Sequence, residues 1–420
     1  MTTVLLTGAS GFIGSRLAAA LSKQGCTVVG VSHRAGHVTC DFTKDIRPRD
    51  WLPRLQGVDV VINAVGIIRE HDEQTFLRLH TEAPVALFQA CADAGVRRVV
   101  QISALGADSG DIAYFRSKRA ADEFLMTLPL DWCVVRPSLI YGVNGGSAQL
   151  FDMMASLPVV PTPGSGAQVI QPVHIDDVID TLVALATRSA SVRQVIPIVG
   201  ARALTLRDFL SSLRREMGLR STLIMPVPNA LMQLGAIAGD AIGSPALGRD
   251  MLAMLAAGNT GDPRPASALL GRALRDVNDF IEPQTANFVR TSAQLRWLLP
   301  LLRFSIAAVW LWTGIVTLAL YPLASSYELL ARTGITGSLA TVALYGAALL
   351  DLALGIATLI LRRRSSLWLL QLALIAAYSV IILVRLPEFW LHPYGPLLKN
   401  LPMLAAIYML YVLEKRRWNT

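Results

Sequence analysis

The sequence predicts two unlike parts in one chain: an α/β doubly wound parallel sheet with a small second lobe, followed by an all-α four-helix transmembrane bundle. Three observations carry this. Short apolar, β-branched runs recur with helical patterns between them over the first two thirds of the chain. A glycine-rich turn joins the first of these runs to a helix. Beyond Arg303, long apolar segments alternate with short polar punctuation.

The first element is the strand Val4-Leu5-Leu6, followed by Thr7-Gly8-Ala9-Ser10-Gly11-Phe12-Ile13-Gly14 and a helical Leu17 to Leu21 pattern. Glycine is needed at three places for three reasons. Gly8 makes the tight strand-to-helix turn, Gly11 lets the backbone approach a pyrophosphate, and Gly14 lets the helix pack closely. The helix N-terminus then offers unpaired N–H groups and a positive dipole end to phosphates. The turn marks a dinucleotide site. Further strands are predicted at Thr27 to Val31, Val58 to Val65, Arg98 to Ser103 and Trp132 to Arg136, with later ones at Val169 to His174 and Gln194 to Val199. From Leu204 to about Ile281 the pattern becomes helical and irregular, as suits a substrate-side lobe spanning about 147–281. Within it, Met225 to Ile242 reads either as a segment touching the bilayer surface or as a core helix pair broken at Gly235.

At the end of the second strand an acidic residue would hold the ribose 2′-hydroxyl of NAD; this chain has Ser32-His33-Arg34. Arg34 suits a 2′-phosphate, which favours NADP with NAD as the alternative; a solvated surface arginine is the other reading. Asp41 is a candidate for the adenine edge or a turn residue.

Tyr114-Phe115-Arg116-Ser117-Lys118 places a phenol and an ammonium on one face of a helix. An ammonium nearby is expected to lower the tyrosine pKa from about 10 toward working pH, so that Tyr114 passes a proton to or from a substrate oxygen. Ser103, at a predicted strand end, is placed to hydrogen-bond the reacting carbonyl. The same Y-x-x-x-K spacing at Tyr411 and Lys415 reads as a membrane-interface tyrosine and a topogenic lysine. His174 and Asp176 are expected to order a strand-to-helix turn, with Asp176 or Asp177 capping a helix at Val178.

Residues 1 to about 280 resemble an extended, atypical short-chain dehydrogenase/reductase of the nucleoside-diphosphate-sugar epimerase type. Within that family the resemblance extends to the nucleotide-binding accessory subunit of respiratory complex I. The residues that carry it are Thr7 to Gly14, Asn63-Ala64-Val65-Gly66, Ser103, Tyr114, Lys118, Arg136-Pro137-Ser138 with Tyr141-Gly142, and Pro172 to Val178. The resemblance implies a Rossmann fold binding NAD(P), with contacts from Thr7, Gly8, Ser10, Gly11, Phe12, Ile13, Gly14, Ala64, Val65, Gly66, Pro137 and Ser138. It also implies proton transfer by Tyr114, with Lys118 on the nicotinamide ribose. One departure stands out. Relatives place an asparagine in the helix after the fourth strand, where this chain has His80; His80 either substitutes as a polar group or is a partly exposed helix histidine.

The composition is 53% hydrophobic and 16% charged, with mean hydropathy +0.47, which excludes an ordinary soluble dehydrogenase. The boundaries expected are 1–285 for the dinucleotide-binding domain, 286–303 for a juxtamembrane linker, and 304–420 for the membrane domain. Spans fall at about 304–321, 339–361, 367–384 and 397–413, the last weakened by Lys399, Asn400 and Pro402. Arg290, Arg296 and Arg303 precede the first span, Arg362 to Arg364 follow the second, and Lys415 to Arg417 follow the fourth. The positive-inside rule makes these regions, the dinucleotide domain and both termini cytoplasmic, in a multi-pass inner membrane protein. The net charge of +8 is then topogenic and membrane-surface charge, with no nucleic-acid partner implied. Cys26, Cys40, Cys91 and Cys133 lack metal spacing and read as packed, reduced thiols. No cleavable targeting segment is predicted.

The membrane part resembles a DoxX-like four-helix domain through Val309 to Gly314, Asp351 with Gly355, and His392 to Pro396 with Lys399-Asn400. That resemblance implies a quinone or lipid partner. Asp351, midway along a span, is expected to face the bundle interior, as a proton or headgroup site or as a structural hydrogen-bonding group. The function these features predict is a membrane-anchored NAD(P)-dependent oxidoreductase or epimerase acting on a hydrophobic, quinone or lipid-linked substrate. The alternative is a dinucleotide-binding structural or sensing module without chemistry.

Overall fold

Seven strands form one parallel sheet: β1 (Thr3–Thr7), β2 (Thr27–Ser32), β3 (Val38–Thr39), β4 (Val60–Asn63), β5 (Arg98–Ile102), β6 (Asp131–Pro137) and β7 (Gln194–Ile198). They lie in the order β7-β6-β5-β4-β1-β2-β3, parallel at every pairing. The computed structural model describes residues 1–33, 38–191, 193–241, 255, 258–391, 395 and 397–417. The strand order reverses between β1 and β4, and the carboxyl ends of strands at such a switch point form the crevice in which doubly wound sheets bind ligands.

Successive strand residues point to opposite faces, and here both faces are apolar. Leu5, Val61, Val99 and Val134 pack against Trp51, Leu87 and Phe88 on one side. Val4, Ile62, Val100 and Val135 pack against Leu17, Val178 and Leu182 on the other. The helices concerned are α1 (Phe12–Lys23), α2 (Ala83–Asp93), α3 (Ala113–Thr127), α4 (Gly146–Ser156) and α5 (Ile175–Thr187), the third and fourth leading to the site and the smaller lobe. That lobe has its own core, in which Phe151 of α4 meets Phe209 of α6 (Leu206–Glu216) and Phe280.

Burial of one charge ties β5 to the start of β6 and to the C-terminal end of α5. Arg98 opens β5 with no exposure. Its Nε donates to Asp131 at 2.6 Å, and its other nitrogens donate to the carbonyls of Leu185, Arg188 and Ala190. Asp131→Ala leaves that guanidinium without its counter-charge and is expected to cost about 3–5 kcal/mol of stability. The check is the melting midpoint of the full chain in detergent; an unchanged midpoint overturns it.

Three expectations change. The strand expected over Val169 to His174 divides: Val169–Ile170 pairs antiparallel with Leu204–Thr205, and Val173–His174 pairs parallel with Ile140–Tyr141. The break is at Gln171 and Pro172, where Gln171 turns its amide to the Gly200 carbonyl and proline has no N–H to give a ladder. Met225 lies in a strand, Ile224–Val227, paired with Val160–Pro163. The helix after it, Asn229–Ala241, runs through Gly235 without a break and exposes Leu231, Leu234 and Ile237; Ile242 lies outside the described residues. Segment 286–303, expected as a linker, is helical, because it falls within α7 (Pro283–Ile315).

The chain divides into two compact units, Met1–Gln294 and Leu295–Thr420. Among the described residues, three helices are long and apolar enough to cross a membrane: Pro283–Leu320, which contains α7, then α8 (Gly337–Ile360) and α9 (Ser365–Arg385). The fourth expected span, in α10 (Asn400–Arg417), is a shorter apolar helix over Asn400–Glu414. In the second unit all four helices share a core of Ile306, Trp310, Leu354, Trp368, Ile375 and Ile407. Gly314 and Gly355 set how closely α7 and α8 approach, since a Cβ at either would lie 2.9 and 3.1 Å from the carbonyls of Ala348 and Ala307. Asp351 is buried inside this bundle. His392 to Tyr394, Pro396 and the side chains of Lys415 to Arg417 lie outside the described residues.

Candidate active site

The glycine turn is built by close approach. Gly8 adopts φ +69°, and a Cβ there would lie 2.9 Å from the Ala64 carbonyl at the end of β4. Gly14 is tighter, with a virtual Cβ 2.1 Å from the Gly8 carbonyl, so its missing side chain packs α1 against the turn itself. Gly11 donates its N–H to Gly8 at 2.9 Å and forms the N-cap of α1. No side chain caps this helix and no acid sits in its first turn. Its N–H groups and dipole therefore remain available to an anion, which fits the pyrophosphate of a dinucleotide.

Beside that N-terminus lies a cavity of about 390 Å³ that gathers most of the residues expected at the site. Gly11, Phe12 and Ile13 form one wall; Ala64, Val65 and Gly66 extend β4 into it. Ser103, Tyr114, Lys118, Pro137 and Ser138 also line it. Ser103 follows β5, and Tyr114 and Lys118 share one face of α3. Thr7, Gly8, Ser10 and Gly14 shape the turn without lining the cavity. The Thr7 hydroxyl points into the sheet, donating to Asn63 Oδ1 at 2.7 Å, and Asn63 Nδ2 donates to Gln101 Oε1 at 2.7 Å. This buried polar row crosses β1, β4 and β5 in register below the crevice.

Lys118 is buried and donates from Nζ to the carbonyls of Val65 (3.3 Å) and Ile102 (3.2 Å), fixing the ends of β4 and β5. Burial lowers its pKa to about 8, against the pull of Asp122. The expectation for Tyr114 is corrected. Burial first and the Asp122 charge second push its phenol up to about 12, so it keeps its proton at neutral pH. Its ring is held edge-on by Phe76, His80 and Phe115 at 5.8, 5.4 and 5.5 Å.

His80 is fully buried rather than partly exposed. Its Nε2 accepts from the Ile67 N–H at 3.0 Å. Its Nδ1 lies 3.0 Å from Ser117 Oγ, which donates to the Tyr114 carbonyl. Since Nε2 must accept and the serine proton is committed, the tautomer carries its proton on Nδ1. Burial and the neighbouring Lys118 push its pKa down to about 2. Neutral His80 thus ties the loop after β4 to the Tyr114 helix.

One site residue escaped the sequence reading. Asp122, fully buried, continues the Tyr114 and Lys118 face by four more residues and accepts from Ser103 Oγ at 2.6 Å. Arg136 Nη2 faces it at 3.4 Å. The i, i+4, i+8 spacing was the available signal.

Other expected residues lie elsewhere. Asp41 accepts from Thr43 N and Oγ1 at 3.0 and 2.7 Å, the geometry of a turn residue. Arg34 lies outside the described residues. The cap of α5 is His174, whose Nδ1 accepts from Asp176 N at 3.3 Å, so the helix starts at Ile175 and not at Val178. Asp177 instead takes Arg272 Nη1 at 2.7 Å and Arg275 N at 2.8 Å. Tyr141 is buried, with its hydroxyl on Asp152 at 2.8 Å. The four cysteines are free and buried.

Comparison with known proteins agrees with this architecture. Residues 4–198 match the NAD dependent epimerase/dehydratase family, and residues 307–408 match the DoxX-like family. The chain is 26% identical over 247 residues to the ceramide reductase of Caulobacter vibrioides, covering 56% of this chain and 76% of that protein. It is 23% identical over 261 residues to the mitochondrial NADH-ubiquinone oxidoreductase 40 kDa subunit of Neurospora crassa, covering 59% of this chain and 69% of that one. The UDP-glucuronic acid 4-epimerase of Bacillus cereus, solved with NAD, superimposes with a TM-score of 0.52 at 19% identity, over 69% of this chain and all of its own; that likeness establishes the fold. The chain thus joins a domain of the NAD dependent epimerase/dehydratase family, with the Rossmann-type sheet of an oxidoreductase, to a DoxX-like membrane domain.

Proposed function

We propose that the protein reduces a carbonyl, or oxidises the matching alcohol, on an apolar or lipid-linked substrate with a nicotinamide dinucleotide held at the glycine turn. The observation that carries this reading is the shared cavity: the N-terminus of α1, Tyr114, Lys118 and Ser103 open onto one space. When bound, the dinucleotide supplies the hydride. The chain's own residues do the rest. Tyr114, protonated at neutral pH, gives a proton to the substrate oxygen, and Lys118 lies behind it as a cation held by two strand-end carbonyls.

The remaining walls favour an apolar substrate over a sugar nucleotide. Leu105, Leu139, Ile140, Ile170 and Leu255 face the cavity, and among the described lining residues Lys118 alone is charged. With the α1 N-terminus assigned to the dinucleotide, a second diphosphate would need charged partners elsewhere on these walls. The relative named as a ceramide reductase supports the same substrate class. Arg34 favours NADP over NAD, and the arginine-rich flanks of the spans favour the cytoplasmic face for this domain.

The test is fluorescence titration of the full chain in detergent with NADPH and NADH. Gly11→Arg places a bulky side chain where phosphate is expected and is predicted to weaken binding by at least about a hundredfold. Failure of the native protein to bind either dinucleotide, or unchanged affinity in the variant, overturns the assignment. Arg34→Ala is expected to remove a preference for NADPH.

A further inference from the structure

We propose that Asp122 is a positioning residue that sets the hydrogen-bond polarity of Ser103: ionised, it holds Ser103 as an acceptor for a substrate hydroxyl; protonated, it frees Ser103 to donate to a substrate carbonyl. The inference rests on the reading above, in which Ser103 meets the reacting oxygen.

A serine hydroxyl carries one proton. Here it is committed, because Ser103 Oγ donates to Asp122 Oδ2 at 2.6 Å inside the protein. What Ser103 then offers the cavity is lone pairs. An alcohol satisfies them with its own proton, whereas a carbonyl has none to give. To donate to a carbonyl while Asp122 is ionised, Ser103 would have to leave a buried carboxylate whose other oxygen, Oδ1, already has no hydrogen-bond partner. Protonation at Oδ2 reverses the pair: the acid donates to Ser103 Oγ, and the serine proton turns to the cavity.

The surroundings set where this happens. Arg136 of β6 faces the carboxylate at 3.4 Å and is shared with Asp108, 3.8 Å from its other nitrogen. Lys118 and Tyr114 face it from its own helix, and Ser103 from the end of β5. Burial outweighs these partners and raises the Asp122 pKa to about 6. The neighbouring groups titrate far from that value, His80 near 2, Lys118 near 8 and Tyr114 near 12. A pH dependence centred near 6 is therefore assignable to Asp122. The direction is chemically consistent, since reduction of a carbonyl to an alcohol consumes a proton and is favoured in the acid form.

The experiment uses the full chain in detergent, loaded with oxidised or reduced dinucleotide, and two probes, 2-decanone and 2-decanol. Between about pH 5 and about pH 7.5, 2-decanone is expected to lose about tenfold in affinity and 2-decanol to gain a similar factor. Asp122→Asn supplies a permanent donor to Ser103 Oγ and should bind the ketone in preference at both pH values. Ser103→Ala should show no pH dependence for either probe. Infrared difference spectra follow the carboxylic acid directly and need no substrate. The difference between the native and Asp122→Asn spectra, in which the bands of Glu216 and every other carboxyl cancel, should show a protonated-acid band that vanishes as pH rises through about 6. Persistence of the pH dependence in Asp122→Asn or Ser103→Ala, or absence of the band from that difference at about pH 5, overturns the proposal. If neither probe nor dinucleotide binds, the functional reading has failed, and the infrared band alone decides whether Asp122 titrates against Ser103.

Discussion

Tyr114→Phe lowers turnover by about 10²- to 10⁴-fold and leaves dinucleotide affinity unchanged. The substitution removes one oxygen and little else. The ring is held by edge contacts with Phe76, His80 and Phe115, all of which phenylalanine keeps. In the function proposed, the dinucleotide is held by the α1 N-terminus and the backbone after β4, which the phenol does not build. What is lost is the proton donor, a phenol whose pKa burial and Asp122 have raised to about 12. An electrostatic consequence follows at high pH. At saturating ketone, where the weaker binding expected above about pH 6 no longer matters, turnover in the reductive direction should persist well above neutrality, because Tyr114 keeps its proton there. The measurement is NADPH oxidation with 2-decanone, with binding followed separately by fluorescence. Equal turnover in Tyr114→Phe and the native protein would refute the acid role of this residue.

That prediction uses both what the sequence disclosed and what it concealed. The spacing of Tyr114 and Lys118 is local, so one helix face is legible from four residues of separation. The expected lowering of the Tyr114 pKa was not, because burial of the phenol and the Asp122 charge, which only the fold creates, raise it instead. Asp122 lay on the same face in plain view, but a charged helix residue usually meets water. Its burial depends on Ser103 and Arg136 arriving from β5 and β6. The partly exposed reading of His80 fails for the same reason: its partners, Ile67 and Ser117, sit on either side of it in the fold and far from each other in the chain. The His174 cap was missed because caps are ordinarily Ser, Thr, Asp or Asn, and an imidazole accepting from Asp176 N is outside that set. Strand positions and the glycine turn were legible because apolar runs and glycine constraints are written into a few adjacent residues. The helical state of 286–303 was obscured by arginines that read as membrane flank, although the alanines, leucines and glutamine among them favour a helix.

Gly14→Ala, the addition of a single methyl group, is expected to weaken dinucleotide binding at least about a hundredfold. The new Cβ would lie 2.1 Å from the Gly8 carbonyl oxygen, 2.8 Å from its carbon and 2.9 Å from Ala9 Cα. All three are backbone atoms, so no side chain can swing aside. Either α1 withdraws from the turn or the Gly8 peptide rotates, and each displaces the N–H groups meant for the pyrophosphate. Overpacking of this kind costs about 1–3 kcal/mol, enough to distort the turn while the sheet core remains folded. Gly25→Ala is the control. Gly25 has φ +77° with nothing within 4 Å of a Cβ, so alanine there adds left-handed strain of about 1–2 kcal/mol without touching the turn. Gly25→Ala should therefore lower the melting midpoint to a similar degree and bind dinucleotide normally, while Gly14→Ala loses at least about a hundredfold in affinity. Binding by Gly14→Ala within about twofold of the native protein would show that α1 and the turn can separate without cost to the site, and the close approach would then have no part in holding the cofactor.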